Sequence, residues 1–122
     1  MTESADIAVR KFQKELNAGT VALVLLAVLK RSGEPLYGYQ IAKLLEAASA
    51  EGMAVKQGTL YPVLRSLEGQ GLLASRVEPS VSGPPRKYYT ITAEGEAVLT
   101  AWTDVWDRMR TFVDATLEGG RG

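Results

Sequence analysis

Between residues 56 and 92 the apolar positions change period. Leu60, Val63, Leu64 and Leu67 recur at the i, i+3, i+4, i+7 spacing that gives a helix one buried face, and Gly69 and Gly71 mark its end. The opposite face carries Gly58, Pro62, Arg65 and Ser66, with Thr59 and Tyr61 at its flanks. That face is small, polar and basic, suited to lying against an anion. Residues 72–77 and 86–91 then read as two strands, separated by a Pro/Ser/Gly turn cluster that ends beside Arg86 and Lys87. A helix followed by a hairpin with a basic tip predicts a winged helix.

The flanking segments fit around that unit. Residues 21–29 form a continuous apolar run, too short for the ~18 residues that span a bilayer and without a small-residue cleavage site. The run predicts a core helix over residues 18–31, stopped by Ser32-Gly33-Glu34-Pro35, with surplus apolar surface for a second subunit. Residues 37–48 form the next helix, with Ile41, Leu44 and Leu45 inward, and residues 53–55 are expected to supply the short first strand. Residues 37–48 and 58–70 together make a helix-turn-helix pair with an elongated connection. Pro62 kinks the second helix if it starts at Lys56, and falls harmlessly in the first turn if Thr59 is the cap.

The two ends are less alike. Residues 1–17 have only loose helical periodicity through Ile7, Val9, Phe12 and Leu16 and are expected to form an N-terminal arm or extra helix, the first few residues disordered. Thr92 is placed to cap the last helix, with Glu94 and Glu96 near its positive end and Gly95 where a capping box would want Glu or Gln. From Val98 through Leu99, Trp102, Val105, Trp106, Met109, Phe112 and Val113 to Leu117 runs a broad apolar stripe. A small domain has little core left for such a stripe. Residues 93–118 are therefore expected to be a dimerisation helix, followed by a frayed tail over 119–122.

Composition narrows the chemistry. At 122 residues the chain is one domain with one core. Lys plus Arg equals Asp plus Glu at 14 each, so nothing global advertises a polyanion partner. Residues 56–92 nevertheless hold Lys56, Arg65, Arg76, Arg86 and Lys87 against only Glu68 and Glu78. Such asymmetry suits a polyanion-binding face on a more acidic body; a solvated charge cluster is the plain alternative. With no Cys and no His, disulfides, thiol chemistry and imidazole-based metal or acid/base sites are excluded, which fits a reducing cytoplasm. The carboxylates show no pairing for acid/base work and no Gly-rich phosphate loop is present. No enzyme, metal or cofactor is expected.

Tyr37-Gly38-Tyr39 with Ile41, Gly58-Thr59-Leu60-Tyr61-Pro62, Leu64, Leu67-Glu68, Gly71-Leu72, and Arg86 through Thr92 with Gly95 follow one another in an order that resembles the PadR family of transcriptional regulators. The resemblance covers roughly residues 20–117 and is similar to the short subfamily with a single C-terminal dimerisation helix. It implies a mainly α (α+β) winged helix-turn-helix, a homodimer in the cytoplasm, and a pseudo-palindromic double-stranded DNA partner. It favours the earlier start of the Pro62 helix, and hence a kink. The residues it assigns to DNA are Tyr37, Tyr39, Lys56, Gln57, Thr59, Tyr61, Arg65, Gly83, Arg86 and Lys87. Tyr89, alternating with Ile91 on one strand face, reads instead as a core aromatic. In multidrug-sensing members a tryptophan matching Trp102, paired across the dimer, stacks on flat aromatic ligands. That implies a planar aromatic effector with Val105, Met109 and Leu23 as walls; Trp106 departs from the pattern and would partly fill the pore. On the residues alone, Trp102 and Trp106 read as packing. The competing reading of the whole chain is a winged-helix protein-interaction module that binds neither DNA nor ligand.

Overall fold

The computed structural model describes residues 2–48 and 57–121. Residues 53–55, expected as a strand, and Lys56 lie outside them.

The first helix, α1, is one continuous element over Glu3–Ser32, so residues 3–17 are neither arm nor separate helix. Its ends explain why it starts so early. The Thr2 hydroxyl accepts the Ala5 N–H at 3.1 Å, with Glu3 and Asp6 in the positive first turn. At the other end Lys30 and Arg31 sit in the last turn, and Gly33 closes it by donating its N–H to the Leu29 carbonyl. By length and composition α1 would suffice to cross a membrane. Its Val21, Leu25, Leu26 and Leu29 are instead buried in the domain core, packed with Leu36, Ile41, Leu45, Leu60, Leu64, Leu67 and Tyr89.

A two-residue strand β1, Leu36–Tyr37, precedes α2, Gly38–Ala48. Tyr37 thus ends a strand and does not open the helix as its sequence suggested. Gln40 turns its side chain back so that Oε1 accepts the Tyr37 N–H at 3.1 Å, satisfying a donor at the junction. The next helix, α3, spans Gln57–Gly69 and continues helical through Pro62, whose missing N–H leaves the carbonyl one turn earlier without its helical partner. It ends in a Schellman motif: Leu72 N–H donates to the Leu67 carbonyl and Gly71 N–H to that of Glu68, both at 3.0 Å. That motif requires a left-handed residue, and Gly71 takes it at φ +79°.

Strands β2, Leu73–Glu78, and β3, Arg86–Ile91, form the hairpin. The sheet is antiparallel in the order β1-β3-β2, with Leu36 opposite Tyr89 and Ser75 opposite Tyr89 from the other side. Its third strand is therefore the one before α2. The last helix, α4, runs over Ala93–Arg121, three residues beyond its expected end at 118. Thr92 caps it as its position predicts, accepting the Gly95 N–H at 2.9 Å and donating its own hydroxyl to the Gly71 carbonyl at 2.7 Å. Helices α1 and α4 pack antiparallel: Lys30 pairs with Glu96 at 3.0 Å, while Leu16 and Leu23 line one groove with Trp102 and Met109 further along.

Candidate nucleic-acid interface

Six of the ten residues expected at DNA line one cleft. Tyr37, Tyr39, Tyr61, Arg65, Arg86 and Lys87, with Gly38 and Tyr89, line a cleft of about 350 Å³ between the start of α2, the outer face of α3 and β3. Thr59 lies exposed nearby on the first turns of α3. Gly83 is at the tip of the β2–β3 turn in a left-handed conformation, φ +106°, that a residue with a side chain would resist. Gln57 begins α3.

The aromatic residues of the cleft are held by specific packing. Tyr37 meets Tyr88 edge to face at 5.4 Å between centroids, and the Arg86 guanidinium lies over the Tyr37 ring at 4.5 Å. Tyr61 reaches from α3 to the start of α2 so closely that a β-carbon on Gly38 would stand 2.5 Å from its Cε1. Tyr61 is thus both a packing residue and 37% exposed. Tyr89 is buried, as its alternation with Ile91 indicated.

Two adjacent cations take opposite routes. Successive side chains of a strand point to opposite faces. Arg86 goes with Tyr88 to the face where Tyr37 lies. Lys87 goes with Tyr89 and pairs with Glu68 on the last turn of α3, Nζ to Oε1 3.0 Å. The other Glu68 oxygen accepts the Ser75 hydroxyl of β2. The Ser75 hydrogen bond, followed by the Lys87 contact, holds the Glu68 carboxyl below its ordinary pKa. Glu68 in turn raises that of Lys87. In the sequence Glu68 stands only as a motif residue and one of two acids among residues 56–92, and Ser75 only as part of a strand; the strand register brings both beside Lys87. Further along β2, Arg76 pairs with Glu78 at 2.8 Å.

The residues expected to hold an effector also meet. Leu23, Trp102, Val105, Trp106 and Met109 line an apolar groove of about 410 Å³ between α1 and α4, joined by Glu15, Leu16, Gly19, Thr20 and Ala22 of α1. These α1 residues were not expected at the groove, although Leu16, Gly19, Thr20 and Leu23 recur at the spacing of three to four that marks one helix face. Trp102 packs partly into the core, whereas Trp106 is 38% exposed. Beyond the groove Phe112, Val113 and Leu117 of α4 and Ile7, Val9 and Phe12 of α1 are exposed.

Comparison with known proteins agrees with this architecture. Residues 25–101 match the transcriptional regulator PadR-like family. A PadR family transcriptional regulator from Eggerthella lenta is 38% identical, superposes with a TM-score of 0.83, and is covered over 96% of this chain and 98% of its own. A PadR family transcription regulator from Clostridium difficile is 28% identical over 80% of this chain and 98% of its own, with a TM-score of 0.68. The transcriptional regulator Rv3488 of Mycobacterium tuberculosis is 44% identical over 59 residues, 48% of this chain and 54% of that protein.

Proposed function

Because the chain belongs to the PadR-like family of transcriptional regulators, DNA-binding proteins and not enzymes, we propose that it works as a dimeric repressor whose hold on its operator is loosened by a planar aromatic effector. The observation that carries the DNA part is the cleft where Arg65 and Arg86 stand among Tyr37, Tyr39 and Tyr61, beside the exposed start of α3. Cations and hydroxyls at one site suit backbone phosphates, which fix register, while the start of a recognition helix reads base edges in the major groove. Gln57, Thr59 and Tyr61 are the base-reading candidates; Gly83 lets the wing tip approach the backbone closely.

Dimerisation accounts for the apolar ends of the two long helices. Phe112 is 67% and Phe12 63% exposed, and so many large apolar side chains left exposed on two packed helices suit an interaction surface. A two-fold dimer carries two copies of α3, so the operator is a pseudo-palindrome with half-sites about 10 base pairs apart or a multiple of that. The α1–α4 groove lies beside this surface, and a planar ligand there stacks on Trp102 with Leu23, Val105 and Met109 as walls. It releases DNA by favouring the subunit arrangement that fits the operator less well.

The deciding experiment titrates purified protein onto the DNA upstream of its own gene at several salt concentrations. Repressor binding gives an affinity that falls steeply with log salt and a footprint of two related half-sites. A salt-independent interaction, or none with duplex DNA, would leave the protein-interaction reading in its place.

A further inference from the structure

We propose that Lys87 acts as a positioning residue that clamps the wing to the recognition helix through Glu68, and that it is not itself a ligand of the DNA backbone. The inference rests on the DNA-binding reading above and revises the part of that reading that gave Arg86 and Lys87 the same task.

Three features carry it. The pleat separates the two cations: Arg86 follows Tyr88 to the face of Tyr37, and Lys87 follows Tyr89, whose ring lies 5.3 Å from its Nζ. The Lys87 ammonium is then met by Glu68 at 3.0 Å, so its charge is offset before any phosphate arrives. Finally, Glu68 is a junction of three elements. It belongs to the last turn of α3, receives Ser75 from β2 on one oxygen and Lys87 from β3 on the other, and so ties both wing strands to the helix. The junction lies at the opposite end of α3 from Gln57 and Thr59. Lys87 borders the cleft shared by Arg65 and Arg86, and its tie to Glu68 at this far end of α3 sets the angle of the wing there. The directions of the two pKa shifts, Glu68 down and Lys87 up, are those of a pair that stays charged.

The two roles predict opposite signs for one substitution. If Lys87 binds phosphate, Glu68 is a competing carboxylate, and Glu68→Gln tightens DNA binding. If Lys87 is a clamp, Glu68→Gln loosens the wing and weakens binding by up to about fivefold, the upper end for a partly exposed ion pair, while leaving the salt slope unchanged. The full-length protein would be titrated onto its upstream DNA as wild type, Glu68→Gln, Lys87→Glu, and the exchanged pair Glu68→Lys with Lys87→Glu. Melting curves confirm that each variant is folded. The clamp predicts that Lys87→Glu binds poorly, because two carboxylates then face each other, and that the exchanged pair recovers to within about threefold of wild type. The Ser75 hydroxyl supports the exchange, since it can accept a hydrogen bond from an ammonium on α3 as readily as it donates one to the Glu68 carboxylate. Tighter binding by Glu68→Gln, or an exchanged pair as weak as Lys87→Glu, would overturn the clamp. Arg86→Ala serves as the control: its weaker binding and shallower salt slope show that the wing meets DNA, so that failure of the clamp is told apart from failure of the DNA reading. A wild type that binds no duplex would overturn both.

Discussion

Gly95 stands so close to Leu72 that a β-carbon built on it would lie 2.1 Å from the Leu72 carbonyl oxygen. That oxygen already accepts the Thr92 N–H at 3.1 Å, where the sheet turns into α4. The obstruction is backbone, held by the Schellman turn on one side and the Thr92 cap on the other, and it cannot rotate away. Gly95→Ala is therefore expected to destabilise the fold by about 1 to 3 kcal/mol, the range of overpacking in a closed site. Thermal or urea unfolding checks this. Gly58→Ala, where no atom of the described residues lies within 4 Å of the new carbon, is the matched control and is expected to change stability by less than about 1 kcal/mol in the favourable direction of helix propensity.

Removing a phosphate contact differs from removing a base contact. Arg86→Ala is expected to weaken binding evenly across sequences and to lower the salt slope by about 1. Substitutions of Thr59 or Tyr61 are expected to change which bases are preferred while the slope stays put. Competition titrations with operator and unrelated duplex at three salt concentrations separate the two.

Truncation before Ala101 removes Trp102 from the core and strips α1 of its α4 partner, so both folding and dimerisation are expected to fail. Met109→Asp with Phe112→Asp is the gentler variant, since both residues are more than half exposed in the single chain. It is expected to be folded and monomeric by sedimentation. A monomeric, folded truncation product would contradict the assignment of α4.

Flat aromatic dyes are expected to quench tryptophan fluorescence. Stacking on an indole adds about 0.5 to 1.5 kcal/mol beyond area burial, so Trp102→Ala should weaken binding by roughly threefold to tenfold or more. Trp106→Ala should change how large a ligand the groove admits. An affinity indifferent to Trp102 in an intact dimer would remove the pore from consideration.

The Glu68–Lys87 pair sets a sign for pH. Glu68 is held below its ordinary 4.5, so its contribution to stability is complete above that value and is lost as pH falls through the lowered one. Lys87 is held above its ordinary 10.5, so its contribution is complete below that value and is lost as pH rises through the raised one. The melting-temperature gap between wild type and Glu68→Gln should then be flat from about pH 5 to 9 and close in acid. Both side chains are partly exposed, at 32% and 41%, so solvent screening keeps the gap small.

Much of this was legible in the sequence for identifiable reasons. The Arg86–Ile91 strand was bounded correctly because a turn cluster precedes it and a cap residue, Thr92, ends it. The Leu60, Leu64 and Leu67 face was read correctly because burial on one side leaves a 3.6-residue period, and all three are buried. What failed was short or long-range. Leu36–Tyr37 is too brief to show alternation, and it is a strand only because β3 lies beside it. The first half of α1 leaves Ile7, Val9 and Phe12 exposed and only loosely periodic; its helicity comes from the Thr2 cap and continuity with the buried half. Lys87 and Arg86 look interchangeable in sequence, and only the pleat and a carboxylate nineteen positions upstream of Lys87 part them.

Helix α1 extends about 45 Å, at 1.5 Å per residue over its 30 residues, yet its buried anchors all lie between Val21 and Leu29. It is a lever whose fulcrum is the core. A tilt of about 5° at that fulcrum swings a point some 25 Å away by about 2 Å, which is the scale of helix shift that separates two subunit arrangements. Because the long arm starts where the α1–α4 groove lies, the effector proposed above would, wedged beside Leu16 and Leu23, work on the lever close to its pivot. A small local displacement there would be magnified at the tip that carries Ile7 and Phe12.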